Sequence, residues 1–144
     1  MKTALACVIE PMAAADFEEV LRLWRNTEGV GLTDSDSPAN LAAYLERNPG
    51  LSFVAREEGR IIGAVLCGHD GRRGYLHHLA VERQCRRGGI GSRLVDACLE
   101  RLATLGMLKC NIFLYAHNGE GRLFWESRGW VTREDLQILQ KRLL

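Results

Sequence analysis

Apolar residues along the chain fall into two rhythms that divide it into elements. In AADFEEVLRLWRN, Phe17, Val20, Leu21 and Trp24 recur at helical spacing with Asp16 placed as a cap. SPANLAAYLERN opens on Ser37 and Pro38, a cap and a first-turn residue, and predicts a second short helix. Dense apolar runs surround these helices. TALACVIE, stopped by Pro11, LSFVARE, GRIIGAVLCG and YLHHLAVE read as strands; Glu58-Gly59 joins the second to the third, and HDGRRG leads into the fourth. The last three of these form an antiparallel meander. From Gly89 the positions Ile90, Leu94, Val95, Cys98, Leu99 and Leu102 return to the helical period, which ends near Gly106. LKCNIFLYA then predicts a strand, NGEGRLFWESRG a short helix and LQILQKRL a final strand. One α/β domain over residues 1–144 accounts for the whole pattern, with no repeat, low-complexity segment or linker.

Composition changes this picture little. The 144 residues are 47% hydrophobic, enough to fill one core, and 19 Lys plus Arg against 18 Asp plus Glu leave a formal net charge of +1. Such a balance argues against a nucleic-acid-coating protein. Cys7, Cys67, Cys85, Cys98 and Cys110 are odd in number and lack CxxC spacing, so neither a disulfide framework nor a metal site is expected. Free, mostly buried thiols in a reducing cytoplasm are the expectation. The start MKTALACVIEP is too short in its apolar part for a signal peptide, and no run approaches ~18 apolar residues, so no membrane association is expected.

Chemistry concentrates in RRGGIGSRL, residues 86 to 94, where three glycines crowd a helix entrance. A helix N-terminus offers unpaired N–H groups and a positive dipole end, and glycines let an anion approach the backbone. Arg83, Arg86, Arg87 and Arg93 add charge around the same turn, which suits a ligand with more than one phosphate. Two phosphate loops fail on the residues themselves. GxxxxGK[ST] lacks its Lys, and the Gly88, Gly89, Gly91 spacing after the fourth strand does not fit GxGxxG.

LAVERQCRRGGIGSRLVDACL resembles the acetyl-coenzyme A motif of the GNAT superfamily of N-acetyltransferases, [RQ]-x-x-G-x-[GA] after a Leu-Ala-Val type triplet. Arg86, Gly89 and Gly91 fill the pattern, Leu79-Ala80-Val81 fill the triplet, and the element order matches from end to end. DGRRGYLHHLAV and LQKRL are similar to small bacterial members whose substrates are mostly undefined. The resemblance implies the GNAT, or acyl-CoA N-acyltransferase, fold: a mixed, mostly antiparallel sheet of about six to seven strands with about four helices, ordered β-α-α-β-β-β-α-β-α-β. It also implies a cytoplasmic transferase that moves the acetyl group of acetyl-CoA to a primary amine of a small molecule or a peptide terminus through a ternary complex, without metal.

Roles carry over by position. A β-bulge and splayed strands would leave Leu79 N–H for the acetyl carbonyl and Val81 for pantetheine, with Ala80 between them. Backbone N–H groups of Arg87, Gly88, Gly89, Ile90, Gly91 and Ser92 would hold the pyrophosphate, with Arg86 at the head of the motif. Asn118 would border the pantetheine, or simply cap its helix. Trp125 stands where many members carry the Tyr that protonates the leaving sulfur; an indole cannot release that proton near neutrality. Tyr115 is the substitute acid, with packing as the plainer alternative. His77 is the candidate base, against a strand histidine bonded to a neighbour, and His78 is expected to face the opposite side of the sheet. Glu28, Asp34 and Asp36 in the loop between the first two helices, with Tyr75, are candidates for the acceptor amine, although acidic loop residues are commonly plain turns. Trp24 is expected in the core and Trp130 behind the cofactor. Three further readings stay open: a non-catalytic acyl-CoA-binding or regulatory module, a nucleic-acid binder using the basic turn, and association into a homodimer.

Overall fold

The computed structural model describes residues 7–144. The first four positions of the strand expected from Thr3, like the rest of residues 1–6, lie outside the described residues. Two compact units divide the chain, one ending at Phe113 and the other running from Leu114 to Leu144.

The first unit is built on a sheet of β1 (Val8–Pro11), β2 (Phe53–Glu57), β3 (Arg60–His69), β4 (Gly74–Val81) and β5 (Cys110–Ile112). Strands lie in sequence order; β1 to β4 pair antiparallel and β4 pairs β5 in parallel. Glu58 and Gly59, both at positive φ, make the tight turn between β2 and β3. Between β1 and β2 the chain forms α1 (Phe17–Arg25) and α2 (Pro38–Arg47). α1 buries Phe17, Val20, Leu21 and Trp24, one stripe of its surface, against Ala64, Leu66 and Ala80 of the sheet. Ser37 Oγ accepts from Asn40 N–H at 3.2 Å and Pro38 occupies the first turn, so α2 starts as its sequence prescribes. Asp16 precedes α1, but its carboxylate does not cap that helix. It accepts from Ala13 N–H and from Arg56 of β2, both at 2.9 Å.

The other face of the sheet is covered by α3 (Ile90–Thr104), which buries Ile90, Leu94, Val95, Cys98 and Leu102. Gly63 permits the close approach: a Cβ there would lie 3.0 Å from Leu94 Cδ1. Leu94 is fully buried. Leu94→Ala should therefore cost about 2–5 kcal/mol, transfer loss plus cavity, and lower the urea midpoint without changing the slope. An unchanged midpoint would mean that α3 does not pack on the sheet through this residue.

The second unit holds α4 (Gly119–Ser127), capped by Asn118, whose side chain accepts from Gly121 N–H at 2.9 Å. Trp125 is buried with its ring edge-on to Phe124 and Trp130, at 5.1 and 4.9 Å between centroids. Tyr115 is half exposed and stacked on His117. The final strand expected from LQILQKRL does not form, so the sheet has five strands among the described residues, not six or seven. Leu136, Ile138 and Leu139 of that segment are exposed, so no buried face holds it as a strand. The count of α-helices among the described residues, four, agrees with expectation. None of these helices is long and apolar enough to cross a membrane.

Candidate active site

β4 changes character halfway along its length. Gly74, Tyr75 and Leu76 pair with Cys110, Asn111 and Ile112, after which β5 ends while β4 continues to Val81. Over His77–Val81 no strand pairs with β4 on that side among the described residues, so that, apart from the Val81 carbonyl, which accepts from Arg86 Nε, its backbone groups there are open to another partner. On the β3 side, His77 pairs with Leu66 and Ala80 with Ala64, so His78 and Leu79 together oppose the single residue Val65. This is a β-bulge, and His78 occupies it with φ of +56°. A left-handed backbone at a residue with a Cβ costs about 1–3 kcal/mol and persists only where the surroundings enforce it.

The bulge redirects side chains. Alternation was expected to send His77 and His78 to opposite faces, and the structure corrects that. Their ring centroids are 6.3 Å apart, and His78 reaches the α1/α2 side, where Nε2 lies 3.0 Å from Asp36 Oδ1 and its ring meets the edge of Trp24 at 5.0 Å. His77 packs among aromatic rings on the same side: Tyr44 of α2 at 6.4 Å, Tyr75 stacked at 6.3 Å, and Phe113 at 5.7 Å. Burial lowers the His77 pKa below the usual histidine value, and neighbouring His78 lowers it further while Asp36 opposes both. The His77 ring is thus neutral near pH 7 and able to accept a proton. The loop acid Asp36, expected to attract the acceptor amine, pairs with His78, which sequence alone did not single out because nothing in its neighbouring residues places the bulge there.

Beyond Val81 the chain makes a short 3-10 turn at Arg83–Cys85 and enters α3 through Arg87 and Gly89, both left-handed with φ of +69° and +82°. Gly89 is the N-cap and supplies no side chain, and nothing lies within 4 Å of where its Cβ would be. The first N–H groups of α3 have no intrahelical acceptors, and the space beside Gly89 is open, as an anion site requires. Ile90 contributes backbone only, since its side chain is in the core. Arg93 Nη2 donates to the Cys7 carbonyl at 3.0 Å.

Arg86 holds two partners. Its Nε donates to the Val81 carbonyl at 2.9 Å, and Nη1 to Glu28 Oε1 at 2.8 Å; Arg83 pairs with the other oxygen of Glu28 at 3.2 Å. The hydrogen bond from Arg86 pulls the Glu28 carboxyl down to about 2. Glu28, expected to attract an acceptor amine, is instead committed to arginines. Asp34 starts a 3-10 turn, and its carbonyl accepts from Asn40 Nδ2 at 2.9 Å. A cleft of about 290 Å³ beside the Arg83–Cys85 turn is lined by Arg60 and Glu82, themselves paired at 2.7 Å, with Arg22, Arg83, Arg86 and Glu19. The first unit thus brings together Tyr75, His77, Leu79 and Val81 on one strand, with the glycine turn following in the chain. Asn118, Tyr115 and Trp125 belong to the second unit.

A splayed parallel pair, a bulge and a glycine-capped helix form the arrangement that the sequence motif implied. The profile described as the acetyltransferase (GNAT) family matches residues 17–130. The chain belongs to this family. An acetyltransferase of Sodalis glossinidius is 28% identical over 129 residues, covering 90% of each chain. One from Yersinia enterocolitica is 30% identical over 130 residues, covering 90% of this chain and 91% of its own. Among solved structures, the PaiA N-acetyltransferase of Thermoplasma acidophilum, determined in complex with coenzyme A, superposes with a TM-score of 0.79. At 16% identity, with 89% of this chain and 91% of that one covered, it supports the fold. The protein is accordingly an acyltransferase with the GNAT fold, which sets aside the reading of a non-catalytic binding module.

Proposed function

We propose that the protein transfers the acetyl group of acetyl-coenzyme A directly to a primary amine within a ternary complex. The observation that carries this reading is the departure of β5 from β4 beside the bulge, which leaves the edge from His77 to Val81 for an extended ligand arm. In this reading the pyrophosphate sits at the head of α3, on the backbone of Arg87 to Ser92, and the pantetheine runs along Leu79 to Val81. Arg86 acts by bracing the Val81 carbonyl and Glu28 rather than by reaching the phosphates.

Leu79 N–H then faces the thioester carbonyl and stabilises the oxyanion as the amine attacks. His77, neutral in its aromatic surroundings, takes the proton of the acceptor ammonium directly or through water. The leaving thiolate resembles a cysteine thiol with a pKa of about 8.5 and departs without a strong acid, which fits Trp125 at the position where relatives place Tyr. The roles of Tyr115, Asn118 and Trp125 rest on their sequence positions within the family. The family match runs from the first unit into the second, which supports treating residues 1–144 as one functional domain.

Direct transfer also fits the cysteines. Burial raises the thiol pKa of Cys7, and at Cys110 pushes it up to about 12; a hydrogen bond with Cys67 and burial hold Cys98 protonated. Thiols so held are poor nucleophiles for an acetyl-enzyme. The test is coenzyme A release from acetyl-CoA over alkylamines, arylamines, amino acids and peptide N-termini, with mass spectra of both product and protein. An N-acetylated amine and an unmodified protein are expected. A kinetically competent acetyl-cysteine, or release with no amine acetylated, would overturn the reading.

A further inference from the structure

The residue that the bulge inserts into β4 is a histidine in a left-handed conformation, and it is held from both sides. Its Nε2 lies 3.0 Å from Asp36 Oδ1; a carboxylate only accepts, so Nε2 donates. The two side chains are only 18% and 11% exposed, so water competes little for the bond. Asp36 is itself fixed: its other oxygen accepts from Thr33 N–H at 3.0 Å, and its own N–H donates to the Thr33 carbonyl at 3.0 Å. Trp24, fully buried in α1, closes the other side of the imidazole. The loop from α1 to α2 is thus held at both ends, through Glu28 to Arg86, whose Nε reaches the Val81 carbonyl of β4, and through Asp36 to His78 of β4 itself.

Two neighbours of His78 matter for transfer. Leu79, next in the chain, carries the oxyanion donor in the reading above, and the direction of its N–H depends on the backbone that His78 adopts. His77, the residue before, has its ring 6.3 Å from that of His78. We propose that Asp36 and His78 form a positioning pair, in which the carboxylate fixes the imidazole at the bulge and so sets both the aim of Leu79 N–H and the electrostatic surroundings of His77. This rests on the proposed acetyl transfer. Neither residue needs to touch the substrate.

The groups facing His77 are Tyr75 and His78 from β4, Tyr44 from α2, Asp36 from the loop, and Phe113 past β5. Of these, His78 opposes and Asp36 favours protonation of His77. The experiment compares Asp36→Asn and His78→Gln with the unaltered protein, following the His77 imidazole by NMR titration and transfer by steady-state kinetics. His78→Gly, suited to the left-handed backbone, replaces the glutamine variant should that one not fold. Asp36→Asn is expected to move the His77 midpoint down and the His78 variant to move it up, with kcat reduced tenfold or more in both and KM for acetyl-CoA within about twofold of the unaltered protein. A merely structural pair would not produce opposite shifts. Midpoints unmoved in both variants, or kcat retained in both, would overturn the pair. The titration needs no acceptor, so opposite shifts in a protein that acetylates no amine would overturn the transfer reading and leave the electrostatic coupling standing.

Discussion

Replacing His77 with glutamine should lower kcat/KM about 100-fold or more with an identified amine, while the dissociation constant for acetyl-CoA stays within about twofold. The ring accepts the proton only while it is neutral. Its folded-state pKa lies below the ordinary value near 6.5, chiefly through burial and then through His78. In the unaltered enzyme kcat/KM should therefore be flat near pH 7 and fall on the acid side, with a midpoint below about 6.5; the variant should lose that limb. Linkage gives a second readout of the same group. Because the unfolded chain protonates this histidine at higher pH than the folded one does, unfolding free energy falls as pH drops below about 6.5, and the loss is complete below the folded midpoint. His77→Gln should flatten that part of the stability profile. The glutamine also loses ring contacts with Tyr75 and Phe113, so a melting curve is needed to separate loss of fold from loss of base. Normal turnover with an intact acid limb would remove His77 from the mechanism.

What the sequence disclosed depended on whether the deciding interaction was local. The stripe Phe17, Val20, Leu21, Trp24 is set by helical period alone, and all of it is buried as expected. Ser37 and Pro38, Glu58-Gly59 and the Gly89 cap are likewise written in neighbouring residues and recur in the structure where they were expected. The bulge is different. It arises from the register of β3 against β4, and no glycine or proline marks His78 as left-handed, so strict alternation gave the wrong side for its ring. Glu28 shows the same limit over a longer distance: its partner Arg86 is 58 residues away, and only folding reveals that the carboxylate is already paired. Asp36, a loop acid offered for the acceptor amine with a plain turn as the alternative, is a turn residue whose other oxygen serves β4. At the C-terminus the error ran the other way: LQILQKRL has the apolar content of a strand, yet its leucines and isoleucine stay exposed and no strand forms.

Gly89→Glu should raise the dissociation constant for acetyl-CoA by about 100-fold or more without unfolding the protein. Space is not the obstacle, because nothing lies within 4 Å of the position a Cβ would take. Strain is real but limited: φ of +82° is left-handed, worth about 1–2 kcal/mol against a residue with a Cβ. A carboxylate at a helix N-terminus offsets part of it by interacting with the positive end of the dipole. That same favourable interaction makes the substitution damaging to binding, since the new anion occupies the N–H groups intended for the pyrophosphate and repels it as well. Charge and shape are separated by two companions. Gly89→Asn tolerates the left-handed backbone without charge and should weaken binding by less than about tenfold. Gly89→Lys carries a longer side chain of opposite sign and should bind more tightly than the glutamate variant, the gap narrowing as salt is raised. Calorimetry with acetyl-CoA at two ionic strengths measures all three. Should the glutamate variant keep the unaltered affinity, the phosphates bind elsewhere; should lysine weaken binding as much as glutamate, bulk rather than charge governs the turn, and the head of α3 is a surface the cofactor merely passes.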